Sequence, residues 1–232
     1  MTDHDDHEAF LSTAAPTPTA AAAPRAENSF RFWILGLLNN SSYVIMIASA
    51  KSIDSGGVGL VYLAGIGPGM LVKGSGPFWF DRVGYKSRLV AATILMFLSF
   101  AFVGFGRKSL CAQLAGVAFC SAQSALGEAS LLAFASRYSE VQSSTAIGAW
   151  SSGTGFAGVF GYAWVVAFSR LDTSPQLVAL VFLPFAYGIA ALGLLRGDKS
   201  KGLPKQVDMP LCERIKFGWS IRETTGSIFL GY

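Results

Sequence analysis

The chain has 232 residues, of which 52% are hydrophobic, 13% aromatic and only 14% charged, where a soluble domain carries about a quarter charged residues. This balance excludes a disordered chain, a secreted disulfide scaffold and a beta-barrel, and makes the bilayer the expected solvent, with room for six spanning helices at ~20 apolar residues each. The net charge of +4 comes from 18 Lys and Arg scattered between apolar runs; they form no basic face interleaved with aromatics, so nucleic acid is not an expected partner.

Residues 1–28 begin acidic (Asp3, Asp5, Asp6, Glu8) and continue Ala/Pro/Thr-rich to Pro24, a composition that reads as a disordered cytosolic tail. They lack the basic start and apolar core of a signal peptide. The only histidines, His4 and His7, lie in this tail, which takes imidazole away from any embedded catalytic or metal site. Residues 29–196 then read as a six-helix transmembrane bundle. Its first apolar run, Phe32 to Ala50, carries Asn39, Asn40, Ser41, Ser42 and Tyr43 in succession near its middle. Unpaired amides are costly in hydrocarbon, so this polar block either lines a cavity or bonds across helices, the latter worth ~0.6 to 2 kcal/mol per contact. The sequence favours neither reading over the other. The two glycosylation patterns within it, at Asn39 and Asn40, are discounted because of their depth.

The second run, Val58 to Phe80, is interrupted by Gly65, Gly67, Pro68, Gly69, Gly74, Gly76 and Pro77. Such a segment should face protein, where neighbours satisfy its freed backbone groups. After it, Asp81, Arg82, Gly84, Lys86 and Leu89 match in order the loop signature of the major facilitator superfamily, which the stretch resembles, although Pro77 stands at an expected glycine and Tyr85 at an expected basic residue. The resemblance implies a gating loop built on Asp81, Arg82, Gly84 and Lys86; an ordinary loop ion pair is the plainer alternative.

The third run is Leu89 to Phe105. The fourth, Leu110 to Ser136, holds Glu128 deep among apolar residues. An embedded carboxylate costs at least ~2.5 kcal/mol, so it must find a partner, face water or hold a proton, and such residues are functional candidates. Gly116, Cys120, Ser124 and Glu128 recur every fourth residue, with Gln113, Gln123 and Gly127 beside them, a stripe expected to face the bundle interior. The bland reading has Glu128 snorkelling or pairing with a basic loop residue. The fifth run, Ala146 to Ser169, sets Ala149, Gly153, Ala157 and Gly161 at intervals of four, a small-residue face for close helix packing. Ser151, Ser152 and Thr154 nearby offer hydroxyls to a polar solute. The sixth run is Leu177 to Leu195, and residues 197–232 read as a cytosolic loop and the start of a further helix.

With six spans, 14 of the 18 Lys and Arg fall on the side of the tail, and Lys51, Arg107, Lys108 and Arg170 on the other, which places both ends in the cytosol. Cys111, Cys120 and Cys212 have no metal-ligand spacing, and neither a metal nor another cofactor is expected. No buried histidine, acidic pair or nucleophile with its base is present, so an intramembrane enzyme is not expected.

Three blocks, Phe32 to Ala50, Ser124 to Phe134 and Trp150 to Tyr162, with their Asn-Asn pair, Leu-Gly-Glu triplet and Trp-Ser-Ser-Gly-Thr-Gly run, resemble those of the battenin family of lysosomal and vacuolar membrane proteins. The resemblance runs from about Phe32 to Leu195, while family members are roughly twice this length, so the chain looks like an N-terminal half. It implies an all-α, polytopic fold like the N-terminal half of a major facilitator transporter, a lysosomal or vacuolar membrane address, and family roles in lumenal pH control, basic amino-acid transport and clearance of glycerophosphodiesters. The chain departs from animal members in a short first lumenal loop (Lys51 to Gly57), in lacking an acidic dileucine sorting signal after the sixth helix, and in Gly65 where they carry an acid.

The expectation is therefore a transporter half embedded in the lipid bilayer, binding a small polar solute against a second six-helix half. Glu128 would be the proton or cation acceptor, and Asn39, Asn40, Ser151, Ser152 and Thr154 would line the pathway. The alternative is a non-transporting scaffold that regulates vacuolar trafficking and pH, marked by a dry interior and by Glu128 turned to a loop cation.

Overall fold

A computed structural model describes residues 26–48, 58–80, 82–106, 109–171 and 173–198. The described chain is all helical: α1 (Ala26–Ala48), α2 (Val58–Trp79), α3 (Tyr85–Phe105), α4 (Leu110–Ala135), α5 (Glu140–Arg170) and α6 (Pro175–Asp198). Each apolar run has become one helix. The runs mark where hydrocarbon contact is tolerated, whereas backbone hydrogen bonding continues past that edge. Thus α1 starts three residues inside the segment read as tail, α3 starts at Tyr85 rather than Leu89, and α5 starts at Glu140 rather than Ala146.

The helix ends have local causes. The Ser109 side chain accepts from the Ala112 N–H at 3.3 Å and caps α4. Glu140 in the first turn and Arg170 in the last complement the dipole of α5. Pro175 opens α6, where its missing N–H costs nothing. Arg31 on α1 reaches across to donate to the Gly193 carbonyl in the last turns of α6, a cation at the negative end of a helix.

Three helices, α3, α4 and α6, are long and apolar enough to cross a membrane by length and composition. The other three are no shorter than about 33 Å at 1.5 Å per residue, but glycine, serine and asparagine dilute their hydropathy. The bundle is built around α1 and α4. α1 packs on α5, α6 and α4; α3 fills the angle between α4 and α6; α2 lies along α4. The core runs through Leu35, Ile45 and Met46 of α1, Met96 and Phe100 of α3, Leu131 of α4, and Tyr187 and Leu194 of α6. α2 and α5 are left as the flanks of one open side, and α2 faces protein along one side only: Val61, Gly65 and Gly69 are buried, the glycines against α1 and α4, while Leu63, Met70 and Leu71 stand exposed.

Candidate functional site

The open side contains a cleft of about 270 Å³, lined by Asn40 and Tyr43 of α1, Gly65, Gly69 and Lys73 of α2, and Ser121, Ser124 and Glu128 of α4. From Gly65 to Lys73 it runs about 12 Å along α2. Glu128 and Lys73 meet at its end nearer the basic pole of the bundle. Both α2 and α4 terminate at that pole, Lys73 six residues before Trp79 and Glu128 seven before Ala135, so both groups sit about 10 Å in from their helix ends. Their side chains form an ion pair at 2.9 Å and remain 51% and 35% exposed.

The two charges thus stand neither at a helix end nor shielded by the rest of the bundle. An ion pair this exposed is worth only ~0 to 1 kcal/mol, and holding the bundle together cannot be its main contribution. Glu128 thus has a cationic partner, as the bland reading expected, but the partner stands on a helix and not in a loop, because α2 continues to Trp79.

The adjacent amides of α1 have separate fates. Asn39 is fully buried; it donates to the Ser124 carbonyl at 3.0 Å and accepts from Gln123 Nε2 at 2.9 Å. Ser42 donates to Gln123 Oε1 at 2.9 Å. This is a satisfied interhelical network between α1 and α4, beside the cleft and closed to it. Gly127 makes it possible, since a Cβ there would strike Asn39 Oδ1 and the Tyr187 hydroxyl. Asn40 is half-buried and faces the cleft, donating to Thr154 Oγ1 at 3.0 Å and to the Gly36 carbonyl at 3.1 Å. Ser151 lies one turn before Thr154 and Ser152 next to it, both exposed on α5 and neither lining the cleft. The stripe on α4 accordingly turns as it goes: Gly116, Cys120, Gln123 and Gly127 are buried, and Ser124 and Glu128 open to the cleft.

Pro68 lies inside α2, within the stretch that walls the cleft. The Gly69 N–H beside it donates to Ser121 Oγ at 2.9 Å, so a hydroxyl of the neighbouring helix steadies the backbone of the cleft wall. On the opposite flank, α5 presses against α1 through its small residues: a Cβ on Gly153 would meet the Trp33 carbonyl, and one on Gly36 the Trp150 carbonyl. Ala157 and Gly161 are buried on this face, and Ala149 packs at its edge.

Of the loop signature, Asp81 lies outside the described residues. Arg82 and Lys86 are exposed, and Gly84 precedes α3 with extended backbone and open space around it. The residue that composition missed here is Arg88, only 2% exposed. Its guanidinium lies over the Tyr85 ring at 4.2 Å and the Phe80 ring at 4.8 Å, and the Arg137 guanidinium also lies over Tyr85, at 5.4 Å. Tyr85 OH donates to the Ala133 carbonyl at 3.2 Å. The tyrosine that departs from the superfamily signature is thus the platform on which two arginines rest. The tail up to residue 25, the first loop and everything from residue 199, Cys212 included, lie outside the described residues.

Known proteins show similarity along most of the chain. The family profile described as CLN3 protein matches residues 30–214. Protein BTN1 of Saccharomyces cerevisiae is 32% identical over 161 residues, covering 67% of this chain and 38% of the relative. Protein BTN1 of Candida glabrata is 35% identical over 161 residues, with the same two shares. Protein btn-1 of Neurospora crassa is 28% identical over 193 residues, 80% of this chain and 41% of the relative. The chain therefore spans well under half the length of these curated relatives. No solved structure matches.

Proposed function

This chain belongs to the CLN3 protein family, the family of the battenin resemblance, and from that membership and its charged cleft we propose that this membrane protein carries a small polar solute across a lysosomal or vacuolar membrane. The carrying observation is the Glu128–Lys73 pair, exposed within the cleft about 10 Å in from the ends of α2 and α4; once those helices are embedded, water or a polar ligand has to solvate it. All six helices cross the bilayer, α1, α2 and α5 being long enough once their polar faces are turned inward, in the manner of the N-terminal half of a major facilitator transporter. The basic pole (Arg31, Arg82, Lys86, Arg88, Arg137, Arg196) faces the cytosol. A second six-helix half, such as the relatives' extra length has room for, closes over α2 and α5, so that the solute binds between two bundles near the midplane. Glu128, Lys73 and Asn40 bind the solute, a basic amino acid or a glycerophosphodiester, and Thr154 orients Asn40 by accepting its hydrogen bond. Ser151 and Ser152 face the partner bundle, Asn39 supports the cleft from behind, and Asp81, Arg82, Gly84 and Lys86 form the cytosolic loop that couples the halves. The activity is transport that supports lumenal pH homeostasis, and no bond-making catalysis is assigned.

In proteoliposomes with an acidic lumen, Glu128→Gln is expected to cut flux of these solutes at least about tenfold, while the protein stays monodisperse. Undiminished flux would remove Glu128 from the pathway. A scaffold that regulates vacuolar trafficking and pH is the second reading, favoured by the closed Asn39 network; it predicts no flux in the wild type either.

A further inference from the structure

The cleft holds two opposite charges, of which the sequence pointed only to Glu128. Resting on the transporter reading, we infer that Lys73 is a specificity-determining residue: it occupies the carboxylate when the cleft is empty, and receives the anionic group of the solute once the solute's cation has displaced it. The site thereby selects solutes that carry both charges.

Charge balance is the reason. Besides Lys73 and Glu128, the lining is neutral: Asn40, Tyr43, Ser121, Ser124 and apolar or glycine positions. The empty cleft is therefore balanced by its own pair. A cation entering alone would leave two positive charges beside one carboxylate, and an anion entering alone would leave two negative charges beside one ammonium. Both side chains are partly exposed in the open cleft, so the penalty arises once the second half closes over it: either solute then leaves an uncompensated charge away from bulk water, which is heavily penalised. A solute bearing both groups exchanges one ion pair for two and leaves none uncompensated.

Lys73 is built to move. Its side chain is half exposed, its four-carbon stem is flexible, and next to it Gly74 opens on empty space. Glu128 is the less exposed partner and sits on α4, which is packed on three sides. The lysine swings; the glutamate stays.

The test is binding to the full-length protein, with both halves present, in lipid nanodiscs, using two probe series. In the first, 6-aminohexanoate carries both charges once each, pentylamine the cation alone and hexanoate the anion alone. In the second, these parts fall to glycerophosphoethanolamine, ethanolamine and glycerophosphoglycerol. In at least one series, the wild type should bind the doubly charged probe about tenfold or more tighter than either partial probe. Lys73→Gln should abolish its advantage over the cation, and Glu128→Gln its advantage over the anion. The double variant Lys73→Gln/Glu128→Gln keeps side-chain volume and a hydrogen bond across the gap, and should stay monodisperse with no charge preference. Equal weakening of all probes by both single variants, or a wild type that favours the cation alone, would overturn the inference and leave the transporter reading standing. A wild type that binds no probe would sink both.

Discussion

Replacing Asn39 by Ala would strand Gln123 Nε2 in a dry interior, and a buried polar group left unsatisfied costs about 1 to 3 kcal/mol. Asn40→Ala frees groups that the cleft can hydrate. Thermal unfolding in detergent should therefore show a clearly lowered Tm for Asn39→Ala and little change for Asn40→Ala, while solute binding should fall for Asn40→Ala. A common loss of stability would mean that both amides belong to the core. The sequence presents these residues as one polar block, and nothing in it separates them, because the separation depends on which side of α1 faces α4. Glu128 was legible as the one acid deep in an apolar run. Lys73 was not: within the run Val58 to Phe80 it reads as one more basic residue of the cytosolic side, and only the packing of α2 along α4 brings it level with a carboxylate 55 positions away.

At the contact between α1 and α5 the two backbones come close together, with Gly36 and Gly153 each lying against a carbonyl of the other helix. Gly153→Leu would force the helices apart, and overpacking of this kind costs about 1 to 3 kcal/mol. The variant should unfold at lower temperature, whereas Gly155→Leu, on the open side of the same helix, should leave the Tm of the bundle unchanged. Equal effects would contradict the packing described. The spacing of Ala149, Gly153, Ala157 and Gly161 announced this face, since periodicity of four survives into the helix. Helix starts were less legible: α3 and α5 begin in polar sequence, where hydropathy carries no signal but hydrogen bonding does. The placement of Arg137 over Tyr85 was hidden for a different reason, because it joins two helix ends far apart in sequence.

At the scale of the molecule, six apolar runs became six helices, and the asymmetry of Lys and Arg gives them an orientation to test. Cys111 stands exposed at the start of α4, on the pole opposite the basic one. In a Cys212→Ser background, a membrane-impermeant maleimide should label Cys111 only after the organelle is permeabilised. Labelling in sealed organelles would invert the proposed orientation. The arrangement around α1 and α4, and with it the opening between α2 and α5, was not legible, because each helix shows its polar face to the sequence but not the neighbour that face meets.

The most direct measurement concerns water in the cleft. In a background of Cys111→Ser and Cys212→Ser, a cysteine in place of Ser124, which lines the cleft, would be challenged with a positively charged thiosulfonate, with Ser130→Cys on the buried face of α4 as the control. A hydrated, solute-binding cleft predicts rapid modification of the Ser124→Cys protein, slowed by a bound solute, and none of the Ser130→Cys protein. If the Ser124→Cys protein were as unreactive as the control, the cleft would be dry and the proposed route for a solute would not exist.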